Sequence, residues 1–162
     1  MSPSFHLVPL AGFAGIMAAA AVEDLRRLVI PNALVLGLGV LWPLHLATGP
    51  AISLAGSAGA ALCAAAVFGA GALLFSRGLM GGGDVKLLTA ATLWAGPGGT
   101  PTLLIVTAIL GGLLTLVLLS PLALRAVFAP SAAASAVKRM PVPYGVAIAG
   151  AALFVTIPPN LS

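Results

Sequence analysis

The sequence predicts an all-α, polytopic membrane protein with about six transmembrane helices, each needing roughly 20 residues to cross the hydrocarbon. Composition is the first reason: of 162 residues, 60% are hydrophobic and 6% charged, and the mean hydropathy of +1.18 leaves too little polar surface for a soluble fold. The second is a series of apolar runs separated by glycine and proline. The third is the distribution of lysine and arginine, which fall in alternate links between those runs. The length suits a single transmembrane domain over 1–162, with no room for a separate soluble one.

The runs, taken in order, place a first span at about Phe5 to Val22, a second at about Asn32 to Leu46 and a third at about Ile52 to Phe75. A fourth follows at about Val85 to Ala95, a fifth at about Leu103 to Leu122 and a sixth at about Tyr144 to Ile157. Pro31, Gly49-Pro50, Gly81-Gly82-Gly83, Gly96-Pro97-Gly98-Gly99 and Pro158-Pro159 lie between or after these spans, where chain breakers belong. The fourth span is too short to cross a full hydrocarbon layer as a straight helix, so its start is expected to be sunken into a wet pocket. Gly56, Ala60 and Ala64, Gly12 one turn before Ile16, and Gly111 with Gly112 supply small residues of the kind that let membrane helices pack closely.

On this frame Arg26 and Arg27 follow span one, Arg77 and Lys86 flank the link from three to four, and Arg125, Lys138 and Arg139 lie between five and six. All seven basic residues therefore share one side, which the positive-inside rule makes cytoplasmic, with both termini outside. The first span lacks a basic leading region and has its arginines behind it, so it is expected to be a retained helix and not a removed signal.

Several function classes are disfavoured. The net charge of +4 is scattered and lacks interleaved aromatics, which argues against a nucleic-acid partner. Cys63 is the only cysteine, which excludes an intrachain disulfide or a CxxC zinc site; it reads as a small buried side chain. His6 and His45 fall toward the outer face, away from the carboxylates, so no metal site is expected, and interfacial anchoring suits both histidines as well as Trp42, Trp94 and Tyr144.

The chemistry is expected in the acidic residues. There are three, Glu23, Asp24 and Asp84, and a carboxylate at the centre of a membrane helix costs roughly 2.5–3.5 kcal/mol by insertion scales. Asp24 ends span one and Asp84 opens span four, so both reach the same face of the membrane. Alternatives weigh against shared chemistry: Asp84 fits a helix N-cap after a glycine turn, and Asp24 fits an interfacial residue pairing with Arg27. Glu23 is four positions from Arg27, a spacing that also suits a pair. One helical step points Glu23 away from Asp24, so it is left out of the catalytic set. Lys86, two positions beyond Asp84, is expected to snorkel to the interface.

Three segments carry a family resemblance. Gly81-Gly82-Gly83-Asp84 matches the GxGD signature of membrane aspartic proteases, and with Val85-Lys86-Leu87 it resembles the type IV prepilin peptidases. Asp24-Leu25-Arg26-Arg27 with Ile30-Pro31-Asn32 resembles that family's first-aspartate motif, and Pro143-Tyr144-Gly145-Val146-Ala147 its last-helix motif. The resemblance implies a catalytic pair, Asp24 and Asp84, and a membrane-embedded aspartic endopeptidase with no cofactor. Two adjacent carboxylates cannot easily both ionise, so such a pair holds one proton, one member activating water and the other protonating the carbonyl.

The resemblance further implies prepilin or pseudopilin substrates cut at the cytoplasmic face of a bacterial inner membrane, with membrane lipid and the pilus assembly machinery as partners. Gly81, Gly82 and Gly83, with Pro143, Tyr144 and Gly145, would shape the site or bind substrate. The cysteine-bearing insert of larger members is absent, so the chain is similar to the compact peptidases of Tad/Flp pilus systems and methyl transfer is not expected; an archaeal preflagellin peptidase would share the same chemistry. A different class, a small proton-coupled transporter using the same aspartates as relay groups, would be expected to show more polar residues deep in the spans. A structural subunit of a secretion apparatus would leave the aspartates unexplained.

Overall fold

The computed structural model describes residues 7–48, 53–128 and 142–157, and among these it is helical apart from short links. Helix α1 spans Leu7–Arg27, α2 Asn32–Thr48, α3 Leu54–Ser76, α4 Gly82–Phe128 and α5 Tyr144–Thr156. The stretches α1, α3 and 82–120 of α4 are long and apolar enough to cross a membrane, while α2 and α5 are shorter apolar helices. The protein is a polytopic helical membrane protein. His6, Gly49-Pro50, Lys138, Arg139 and Pro158-Pro159 lie outside the described residues.

The six expected spans appear as five continuous helices because the fourth and fifth are joined without a loop. Gly96 alone leaves helical geometry, at φ 64° and ψ −176°, and Pro97 takes the first position of the resumed helix, where its missing N–H costs nothing. The second segment therefore begins about six residues earlier than its hydropathy suggests. Threonine hydroxyls along α4 bond back to carbonyls one turn earlier, as Thr92 does to Leu88 (2.8 Å) and Thr100 to Gly96 (2.6 Å). These two hydroxyls are thus satisfied without water, whereas the buried hydroxyl of Thr107 in the same helix has no hydrogen-bond partner among the described residues.

Gly96 also reverses the chain. Gly71 of α3 lies against Val85 and Gly59 against Pro97, while further along α4 Gly99 lies against Val155 and Gly111 against Tyr144. The segment 82–95 thus runs away from the end of the bundle where α3 finishes, and 97–128 returns to it alongside α5. Gly12 against Leu41, with Gly37 against Ile16, makes α1 and α2 antiparallel as well. Up-and-down order follows throughout, and the close approaches occur at glycines, as expected where van der Waals fit holds helices together.

The other ends are built locally. Ser53 caps α3 by accepting from the Gly56 N–H at 3.1 Å. That helix ends in a Schellman motif: Gly78 adopts φ 70°, its N–H bonds to Phe75, and the N–H of Leu79 bonds to Leu74. Helix α1 stops differently, with Leu28 in the left-handed region at φ 54° and its N–H donating to the Asp24 carbonyl at 2.9 Å.

The core gathers Phe13 and Met17 from α1, Leu38 from α2, Leu87, Ala91, Trp94 and Leu103 from α4, and Ile148, Ala149, Ala151 and Ala152 from α5. Large apolar residues elsewhere, such as Val40 (75% exposed) and Leu54 (87% exposed), face outward, as suits a lipid-contacting surface. Trp94 departs from its expected interfacial place. It is 7% exposed, its indole N–H donates to the Leu38 carbonyl at 3.0 Å, and its ring lies between Phe13 and His45 at centroid distances of 4.6 and 5.0 Å. His45 is accordingly a packing partner of Trp94 and not a free anchor. Cys63 is half-buried, less enclosed than expected.

Candidate active site

Asp24 lies three residues from the end of α1 and is 5% exposed, in contrast to the solvated interfacial position that its place beside two arginines allows. Its Oδ2 accepts a hydrogen bond of 2.7 Å from the Gly145 N–H, and the Val146 N–H also faces the carboxylate. These are the second and third residues of α5, whose N-cap, Pro143, offers no side-chain oxygen. The carboxylate of α1 therefore does the work of a missing cap on α5, at the end of the helix where a negative charge is favoured. Glycine at 145 is required by contact: a Cβ there would lie 2.8 to 3.0 Å from Oδ2, Cγ and Cβ of Asp24.

Asp84 sits in the first turn of α4, at its third helical position, and is half-buried. Its carboxylate folds back toward the Gly81 backbone N–H, the geometry of the acidic half of a capping box and not that of the N-cap itself. A Cβ on Gly81 would fall 2.7 Å from Asp84 Oδ2. Gly83 has a different neighbour, since its Cβ would meet Ile30 at 3.2 Å, so the glycine run lets α4 start against the link between α1 and α2.

Both aspartates line one open cavity of about 700 Å³, together with 28–32, Gly81 to Gly83, Lys86 and Val142. They are near enough for the charge of Asp24 to act on Asp84. Gly81, Gly82 and Gly83 lie in the cavity wall. Of the last-helix residues, Gly145 grips Asp24 instead of lining the cavity, and Tyr144 turns to α4, where its ring packs on Gly111 and its hydroxyl lies 3.4 Å from that of Thr115. Pro143 is the N-cap of α5.

Glu23 is separate: it pairs with Arg27 at 3.4 Å beside a different groove between α1 and α2. Lys86 does not snorkel freely. Its Nζ donates to Asn32 Oδ1 at 2.9 Å, and both residues line the cavity with the aspartates. Asn32 belongs to the first-aspartate motif without an expected role, and nothing local in sequence pairs it with a lysine 54 positions away. Among the described residues, no three His, Cys, Asp or Glu side chains gather as a metal site would require.

Two carboxylates from different helices, facing one water-accessible cavity beside exposed glycine backbone, can divide acid and base roles on a peptide bond. No curated protein and no solved structure matches the chain. The family model of the type IV leader peptidases matches residues 11–116, from α1 into the returning half of α4, with both aspartates inside the matched region. By that match over most of its length, the chain belongs to the type IV leader peptidase family.

Proposed function

We propose that this protein is a membrane-embedded aspartic endopeptidase that removes the leader from prepilin-like or pseudopilin substrates, with Asp24 and Asp84 as its catalytic pair. The observation that carries the proposal is the meeting of these two carboxylates on one open cavity although sixty positions separate them in sequence.

In the proposed reaction the pair starts with one shared proton. The ionised member takes a proton from water while the other gives its proton to the carbonyl oxygen of the scissile peptide bond, forming a tetrahedral diol. Collapse of the diol breaks the carbon–nitrogen bond, with a proton returned to the departing amine, and the pair regains its single proton. Gly81 to Gly83 supply backbone on which an extended substrate can lie, since no side chain there obstructs approach.

In this reading the cavity end of the bundle faces the cytoplasm and both termini lie outside, in a bacterial inner membrane. The one transmembrane domain needs no cofactor. A compact Tad/Flp-type peptidase without methyl transfer fits the chain best, with the pilus machinery receiving the product.

Purified protein in detergent, given a prepilin-like substrate, should cleave it once, and Asp24→Asn and Asp84→Asn should each lower turnover by about 10²–10⁴-fold. Near-normal turnover by either variant would refute the pair. Proton movement in vesicles without any cleavage would favour transport.

A further inference from the structure

We infer that Lys86 and Asn32 form a clasp that sets the spacing of the two cavity walls, and so act as positioning residues for the Asp24–Asp84 pair. The inference rests on the proposed peptidase reading and assigns a role to two side chains outside the pair.

The walls come from two stretches of chain. One runs from Asp24 through the link 28–31 to Asn32 at the start of α2, and the other from Gly81 through Asp84 to Lys86 in the first turns of α4; both line the cavity. Ile30 touches Gly83 where they meet, an apolar contact that fixes approach but not orientation. The hydrogen bond from Lys86 Nζ to Asn32 Oδ1, at 2.9 Å, adds a directional tie two residues beyond Ile30 on one side and three beyond Gly83 on the other.

Elsewhere each aspartate is held within its own wall or by α5: Asp24 by Gly145, Asp84 toward Gly81. The Lys86–Asn32 bond is the polar side-chain link found between the two walls among the described residues. Loss of it leaves both carboxylates anchored but frees the distance between them, and proton transfer through one water tolerates little slack. An ammonium group has three donors, so one bond to Asn32 also leaves Lys86 able to face the cavity.

The test uses the full chain with Cys63→Ser as background. Lys86→Met and Asn32→Ala should each lower kcat roughly tenfold with KM within about twofold, and the double variant should be no worse than either single one, as expected of partners in one interaction. Lys86→Arg should keep most of the activity. A second readout does not depend on cleavage: spin labels carried by Ala33→Cys and Leu79→Cys, at two exposed positions, should report a broader wall-to-wall distance distribution in Lys86→Met. Asn32→Cys combined with Lys86→Cys, joined by a short thiol cross-linker, should restore turnover.

Additive losses, a rise in KM alone, or failure of the cross-link to rescue would assign Lys86 to substrate contact and overturn the clasp. An unchanged distance distribution would do the same even in a preparation with no peptidase activity, which by itself would count only against the proposed function.

Discussion

Asp24 belongs to the end of one helix and the start of another. Its backbone carbonyl accepts from Leu28 at 2.9 Å, closing α1, while its carboxylate accepts from Gly145 at 2.7 Å, opening α5. A residue fixed at both backbone and side chain has little freedom left, which suits the catalytic part proposed for it.

The first prediction separates this anchoring from the proposed chemistry. Asp24→Asn keeps an oxygen for Gly145, so its thermal stability in detergent should stay close to wild type while cleavage is lost. Asp24→Ala leaves the buried Gly145 N–H without its partner and should cost about 1–3 kcal/mol in addition. Equal stability of the two variants in thermal unfolding would refute the capping role.

Glycines provide a graded series. At Gly145 an added methyl meets three atoms of a fixed side chain, so Gly145→Ala should displace Asp24, costing about 1–3 kcal/mol and most of the activity. At Gly81 the obstruction is the far end of Asp84, which can rotate, so Gly81→Ala should fold normally and still turn over poorly. Gly112 has open space, so Gly112→Ala should leave turnover unchanged and, alanine being the better helix former, raise stability by about 0.5–1 kcal/mol.

Gly96 tests conformation without contact. Nothing lies within 4 Å of where an alanine methyl would sit, yet its φ is +64°, so Gly96→Ala should destabilise by about 1–3 kcal/mol through backbone strain alone. Thermal unfolding reads the cost, and a neutral substitution would mean the reversal does not require this geometry.

Membrane sidedness follows from the proposed orientation. In a Cys63→Ser background, Val29→Cys should react with a membrane-impermeant thiol reagent only when the cytoplasmic face is open, and Ser53→Cys should react from outside. The opposite pattern would invert the proposed topology.

Much of the fold is legible in the sequence because lipid imposes a simple requirement on length and polarity. Asn32 and Tyr144, expected to start spans, start α2 and α5. Gly96, expected between spans, is where the chain reverses. Hydropathy has no way to say which apolar face looks inward, since lipid and core are equally apolar. For that reason Trp94, expected at the interface, is buried instead.

The site is legible in part. Motif spacing draws attention to Asp24, Asp84 and the glycines, and those residues share one cavity. The partners of Asp24 and Lys86 lie 121 and 54 positions away, and no local periodicity encodes such pairings. Glu23 is separable because spacing along one helix is local information, and that spacing identifies its partner Arg27.

The outgoing half of α4 covers residues 82–95, roughly 21 Å at about 1.5 Å per residue, against a hydrocarbon thickness of about 30 Å. Its neighbours α1 and α3, with 21 and 23 residues, match that thickness. Apart from Lys86, every residue of this shorter segment is buried or half-buried, so the surrounding helices, and not lipid, meet its ends. The deficit in length is taken up inside the protein, as a recess at the Asp84 end, and acyl-chain length should have little direct purchase on how readily that recess is reached.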